Sequence, residues 1–186
     1  QIRKRGRCTY LRLTSKPTDQ TLMPTPLDPV ELEKLRLQVL TGAYCLRDSA
    51  ITSREASEGS PVVNLIACGA MVPEALEAAD RLLEEGVYTN VINITGPGPL
   101  YRHYRESTRR AVEQGISLAQ NIGRLIPGAL PGAPVVTVAD AHPHSLAWLG
   151  SALGSKAIQL GVDDWGQSGN RDDLYKEYKT DAESIV

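Results

Sequence analysis

From Pro61 onward the chain alternates short apolar runs with amphipathic segments, and that alternation fixes its class of fold. VVNLIA at 62–67, VINI at 91–94, VVTVA at 135–139 and AIQL at 157–160 are four such runs. A continuous apolar run suits a strand covered on both faces, the usual condition inside a parallel sheet. Between the first two runs, Val72, Ala75, Leu76, Ala79, Leu82 and Leu83 recur at helical spacing, with Glu74, Glu77, Asp80, Arg81 and Glu84 on the opposite side. Pro73 opens that helix and Gly86 ends it. TGPGP at 95–99 is expected to be a turn, followed by a long helical segment over 100–126 that is broken or kinked near Gly115. Its apolar face is Ala111, Leu118, Ala119, Ile122 and Ile126. Leu146, Leu149, Ala152 and Leu153 mark a further helix, and Asn170 caps one over 171–179. Connections of this length are crossovers. The expected architecture is therefore α/β: a three-layer open sheet, mostly parallel, with helices on both faces. AYCLR at 43–47 precedes the alternation and fits one antiparallel edge strand.

The first thirty residues have a different character. CTYLRL at 8–13 alternates like a strand, and residues 14–29 carry Pro17, Pro24, Pro26 and Pro29 among Ser, Thr and Asp. Each proline removes a donor and biases its predecessor away from helix, so 14–29 is expected to be an extended linker. Asp28 and Pro29 then supply a cap and a first helical residue for a helix ending at Gly42, and 48–61 is a polar loop. This divides the chain into a tail plus linker at 1–29 and a domain at 30–186. Thr180 and Glu183 form a capping-box pattern for a helix that runs out after one turn. Both ends read as cut, which makes the chain a piece of a longer protein.

A length of 186 residues suits one domain with an appendage. The net charge of -2 argues against an electrostatic nucleic-acid binder, and the basic clusters at 3–7 and 102–110 suit solvated faces. Cys8, Cys45 and Cys68 are odd in number and lack CxxC spacing, so neither a disulfide framework nor a zinc site is indicated. No apolar run approaches the ~20 residues of a membrane span. No signal peptide precedes the first strand, and the expected setting is reducing and cytoplasmic, with no membrane or nucleic-acid partner.

In an open α/β sheet, ligands bind beyond the carboxyl ends of the strands. Loops 67–72, 95–99, 139–143 and 160–170 are therefore where chemistry would sit. Gly69 leads into a helix N-terminus that can hold an anion, or simply makes a tight turn. Arg102, Arg105 and Arg109 share one helix face and can clamp a carboxylate or phosphate, or meet another domain; His103 lies to one side as a surface or interface residue. Asp140, His142 and His144 form the densest constellation. It can hold a divalent metal, run acid–base chemistry, or cap the helix opened by Pro143 at an interface. A metal would need a third ligand from Asp163 or Asp164. Trp165 is a large aromatic in a Gly-punctuated loop, a placement that suits an interface or, equally, a satellite of the core.

Several stretches together resemble the E1 component of homodimeric, pyruvate-type 2-oxo acid dehydrogenases, and specifically its transketolase-like C-terminal domain. TYLRLTSKPTDQ at 9–20 resembles the last strand and exit of the preceding pyrimidine-binding domain, and GAYCLRD at 42–48 the first strand of the C-terminal domain. VADAHPHSLAWLG at 138–150 and LGVDDWGQSGNRDDLYKEYKTDAESIV at 160–186 resemble its closing units, the first of these fitting the pyruvate-type E1 better than transketolase or deoxyxylulose-phosphate synthase. The resemblance implies a parent enzyme that decarboxylates a 2-oxo acid on thiamine diphosphate and reductively acylates the lipoyl group of an E2 partner. In that family a GDG motif with a downstream Asn holds the diphosphate through Mg²⁺; no such segment occurs here, so no catalytic, cofactor-binding or metal-binding residue is implied for this chain. The implied partners are other domains of the same chain, the mate in a homodimer, and E2. The implied role is structural, with Asp140, His142, His144, Trp165, Arg102 and His103 as interface or pocket candidates. The alternatives are an independent flavodoxin-like module binding a small anion or nucleotide, and metal-assisted hydrolysis at Asp140 and His142.

Overall fold

The computed structural model describes residues 11, 13–14, 16–23, 25–49, 60–115 and 125–186. Five strands form one sheet in the order β1-β3-β2-β4-β5. They are β1 (Ala43–Arg47), β2 (Val62–Cys68), β3 (Tyr88–Ile94), β4 (Val135–Ala139) and β5 (Ala157–Leu160). β1 runs antiparallel to β3, and the other pairs are parallel. This is the mostly parallel sheet with one antiparallel edge strand that the sequence predicts.

The helices are α1 (Pro29–Thr41), α2 (Val72–Glu84), α3 (Pro97–Gln114), α4 (Trp148–Leu153), α5 (Arg171–Glu177) and α6 (Ala182–Ile185). Right-handed crossovers decide which face each covers. The β2-to-β3 step moves one way across the sheet, and the steps from β3 to β4 and β4 to β5 move the other way. α2 therefore lies on one face, and α3 and α4 on the opposite one. Side-chain alternation matches: Leu65, Ala67, Val91 and Val138 pack toward α2 and α6, while Ile66, Ile92, Ile94, Val135 and Ala139 pack toward Leu100 of α3 and Leu149, Ala152 and Leu153 of α4.

Several boundaries differ from expectation. Pro97, Gly98 and Pro99 are the first turn of α3 rather than a turn ahead of it. Proline fits there because the first helical N–H groups have no intrahelical partner. The break expected near Gly115 is present, since α3 ends at Gln114 and Gly115 takes a left-handed conformation at φ 65°; the expected continuation through Leu118, Ala119 and Ile122 lies outside the described residues. β3 starts at Tyr88, earlier than the apolar run, because Asn90 is satisfied inside the sheet: its Nδ2 donates to Asn64 Oδ1 at 3.1 Å, and its Oδ1 accepts from Ser49 N. α5 stops at Glu177, and Lys179 turns left-handed at φ 55°. The last helix is capped at Asp181 rather than Thr180. Of the expected strand at 8–13 only Leu11 and Leu13 are described, both exposed. The linker is not uniformly extended: Gln20–Leu22 form a 3₁₀ turn capped by Asp19. Most of the loop at 48–61 lies outside the described residues.

Candidate functional site at the carboxyl edge of the sheet

Strand order reverses direction between β2 and β4, so the crevice where open α/β sheets take ligands lies beyond Cys68 and Ala139, which are register partners. On the β2 side, Gly69 is left-handed at φ 61° and starts a 3₁₀ turn, Gly69–Met71, in which Ala70 and Met71 are buried. This wall presents almost no side-chain functionality. The β4 side carries Asp140, His142 and His144, all exposed. Gly161, just past β5, backs this loop so closely that a Cβ would meet the Ala141 carbonyl oxygen at 2.4 Å, and Val162 N donates to that oxygen at 3.1 Å.

His142 is a cap. Its Nδ1 accepts from His144 N at 3.2 Å and holds the 3₁₀ turn Pro143–Ser145. The two imidazoles stack with centroids 5.2 Å apart. Asp140 contributes charge to its surroundings. The hydroxyl of Tyr175, on α5, is pushed above its ordinary range by burial first, then by Asp140 and Glu74. Among the described residues no three His, Cys, Asp or Glu side chains gather where they could hold a metal ion. Asp163 and Asp164 do not complete a set with Asp140 and His142; Asp164 Oδ1 instead accepts from Trp165 N at 2.8 Å.

The remaining candidates are spread along the surface. Arg102 and His103 are exposed on α3, and Arg109 pairs with Glu113 on the same helix at 2.7 Å. What ties α3 to the segment after His144 is aromatic: the tilted rings of Tyr104 and Tyr101 lie against Trp148 with centroids 4.9 and 5.5 Å away. Among the described residues the buried Trp148 Nε1 has no hydrogen-bond partner. Leu146 is buried and Trp148 is half-buried against these tyrosines. Trp165 is 91 % exposed, yet its backbone is held at both ends, by Asp164 and by Tyr178 Oη, which donates to its carbonyl at 3.1 Å. All six candidates are thus exposed groups, of which only Asp140, His142 and His144 share the loop beyond β4.

The family described as transketolase-like TK C-terminal domain matches residues 42–181. The chain belongs to this family. A putative transketolase C-terminal section from Methanocaldococcus jannaschii is 28% identical over 125 residues, covering 67% of this chain and 34% of that protein. This transketolase-like domain thus spans about a third of the curated relative's length. A transketolase from Leishmania mexicana superposes with a TM-score of 0.50 and 24% identity, over 83% of this chain and 18% of that one. Transketolase from Campylobacter jejuni gives 0.49 and 19%, over 78% and 18%. The match to the Leishmania structure concerns the fold alone. Among the described residues, no helix is long and apolar enough to cross a membrane.

Proposed function

We propose that this transketolase-like domain is the C-terminal part of a thiamine-diphosphate-dependent 2-oxo acid dehydrogenase E1 of the homodimeric pyruvate type. Its role there is to build contacts within and between subunits, without catalysis of its own. The observation that carries this reading is Trp165, a fully presented indole on a loop pinned by its own backbone hydrogen bonds. Pre-ordered aromatics of this kind anchor protein interfaces at low entropic cost. The stretch at 138–150, which resembles the pyruvate type more than transketolase, supports this reading. The residues present do not fit thiamine diphosphate with Mg²⁺: the chain has no GDG segment, and among the described residues no three His, Cys, Asp or Glu side chains gather to hold the metal. The cofactor would belong to other domains of the parent chain, and the lipoyl-bearing E2 would be its acyl acceptor in a reducing cytoplasm. An independent anion-binding module is disfavoured by α2 itself, whose first turn already carries the Glu74 carboxylate beside Lys16.

The full-length protein containing this domain provides the test. Supplied with Mg²⁺ and thiamine diphosphate, it should decarboxylate pyruvate and acylate lipoyl groups. Ketol transfer between sugar phosphates, with no turnover of pyruvate, would overturn the pyruvate-type reading.

A further inference from the structure

The Pro-rich segment ahead of α1 does not hang free. Lys16 Nζ lies 3.2 Å from Glu74 Oε1 in the first turn of α2, and the two side chains are only 16% and 19% exposed. In every other ion pair among the described residues at least one side chain is more than half exposed. The same ammonium sits 5.1 Å from the ring centroid of Tyr175 on α5. Six residues on, Leu22 packs against the core cluster that contains α2, as does Tyr175. Between these anchors Asp19 accepts from Thr21 N at 2.8 Å and closes the 3₁₀ turn.

We propose that residues 16–22 form a latch, in which Lys16 pins the linker to Glu74 of α2 and Tyr175 of α5 and Leu22 seats it a second time. Lys16 is thereby held beside the carboxyl edge of the sheet, where α2 begins. The chemistry supports a pin rather than a chance contact. A largely buried ammonium needs a carboxylate, a charge-assisted hydrogen bond is roughly twice as strong as a neutral one, and an aromatic face adds to the attraction. No helix or strand needs this contact, which spans 58 residues of sequence. The latch stands whichever reaction the parent protein runs.

Thermolysin, which cuts ahead of large apolar residues, can report on the Thr21–Leu22 bond by mass spectrometry. Lys16→Gln and Glu74→Gln should each raise its cleavage by about five- to tenfold, the size expected for one half-buried charged contact. The double variant should exceed neither single one, because both remove the same contact. Lys16→Arg should stay within about twofold of the parent, because it keeps the charge. Lys34→Gln, which removes an exposed pair with Glu31, should leave the rate unchanged. Unaltered cleavage in Lys16→Gln, effects that multiply in the double variant, or an equal rise at sites throughout β2 and α2 would each overturn the latch.

Discussion

Asn64 is fully buried at the centre of the sheet, and its amide is used on both sides. Its Oδ1 accepts from Asn90 Nδ2 and Leu130 N, and its Nδ2 donates to the Leu130 carbonyl. One side chain thus joins two parallel strands to the loop ahead of β4. Asn64→Leu would leave those partners buried and unpaired, and should cost about 3 kcal/mol in urea unfolding, more than a surface change. Cys45 makes a different residue-scale statement. Burial, then the charge of Asp48, pushes its thiol from 9.0 to about 11. The folded chain therefore keeps a proton that the unfolded chain loses between those values. Stability from this group is intact below pH 9 and falls as pH rises toward about 11. Alkylation at pH 8 should accordingly be far slower in the folded protein than after denaturation. Gly161→Ala should destabilise by roughly 1–3 kcal/mol, because its Cβ would meet the Ala141 carbonyl and the 139–143 loop would have to shift.

At the scale of elements, α6 shows how packing replaces propensity. A four-residue helix has no stability alone. This one is held because Ala182 and Ile185 are buried against the α2 face. Ile185→Ala should lower stability by about 2–4 kcal/mol in a denaturant titration, out of proportion to the helix's length. The strands and α2 were legible in the sequence because their signal is local: an apolar run, or a stripe at helical spacing. The start of α3 was not, since Pro97 and Pro99 carry the same local preference in a turn as in a first helical turn. β3 was read short because Tyr88, Thr89 and Asn90 look polar until Asn64 is placed beside them. The candidate site was legible only as a list. Sequence placed Asp140 and His142 at a strand end and Trp165 on a loop. The Lys16–Glu74–Tyr175 and Tyr101–Tyr104–Trp148 clusters join residues far apart in the chain, and no spacing rule brings them together.

At the scale of the whole molecule, the sheet's two faces are filled by its own helices, and what is left over is an edge. The carboxyl edge carries a side-chain-poor wall, a pair of stacked histidines and the latched linker, while Trp165 stands out on a rigid loop. Trp165→Ala should leave the thermal midpoint within about a degree, since so exposed a side chain contributes little to folding. In the full-length protein the same substitution should weaken subunit association by tenfold or more, the usual effect of removing a central aromatic anchor. Sedimentation of both forms checks the pair of outcomes. The central claim, that this domain supports catalysis without performing it, is tested most directly by titration calorimetry of the isolated chain with thiamine diphosphate and Mg²⁺. The account predicts no saturable heat at millimolar ligand; a stoichiometric isotherm would contradict it.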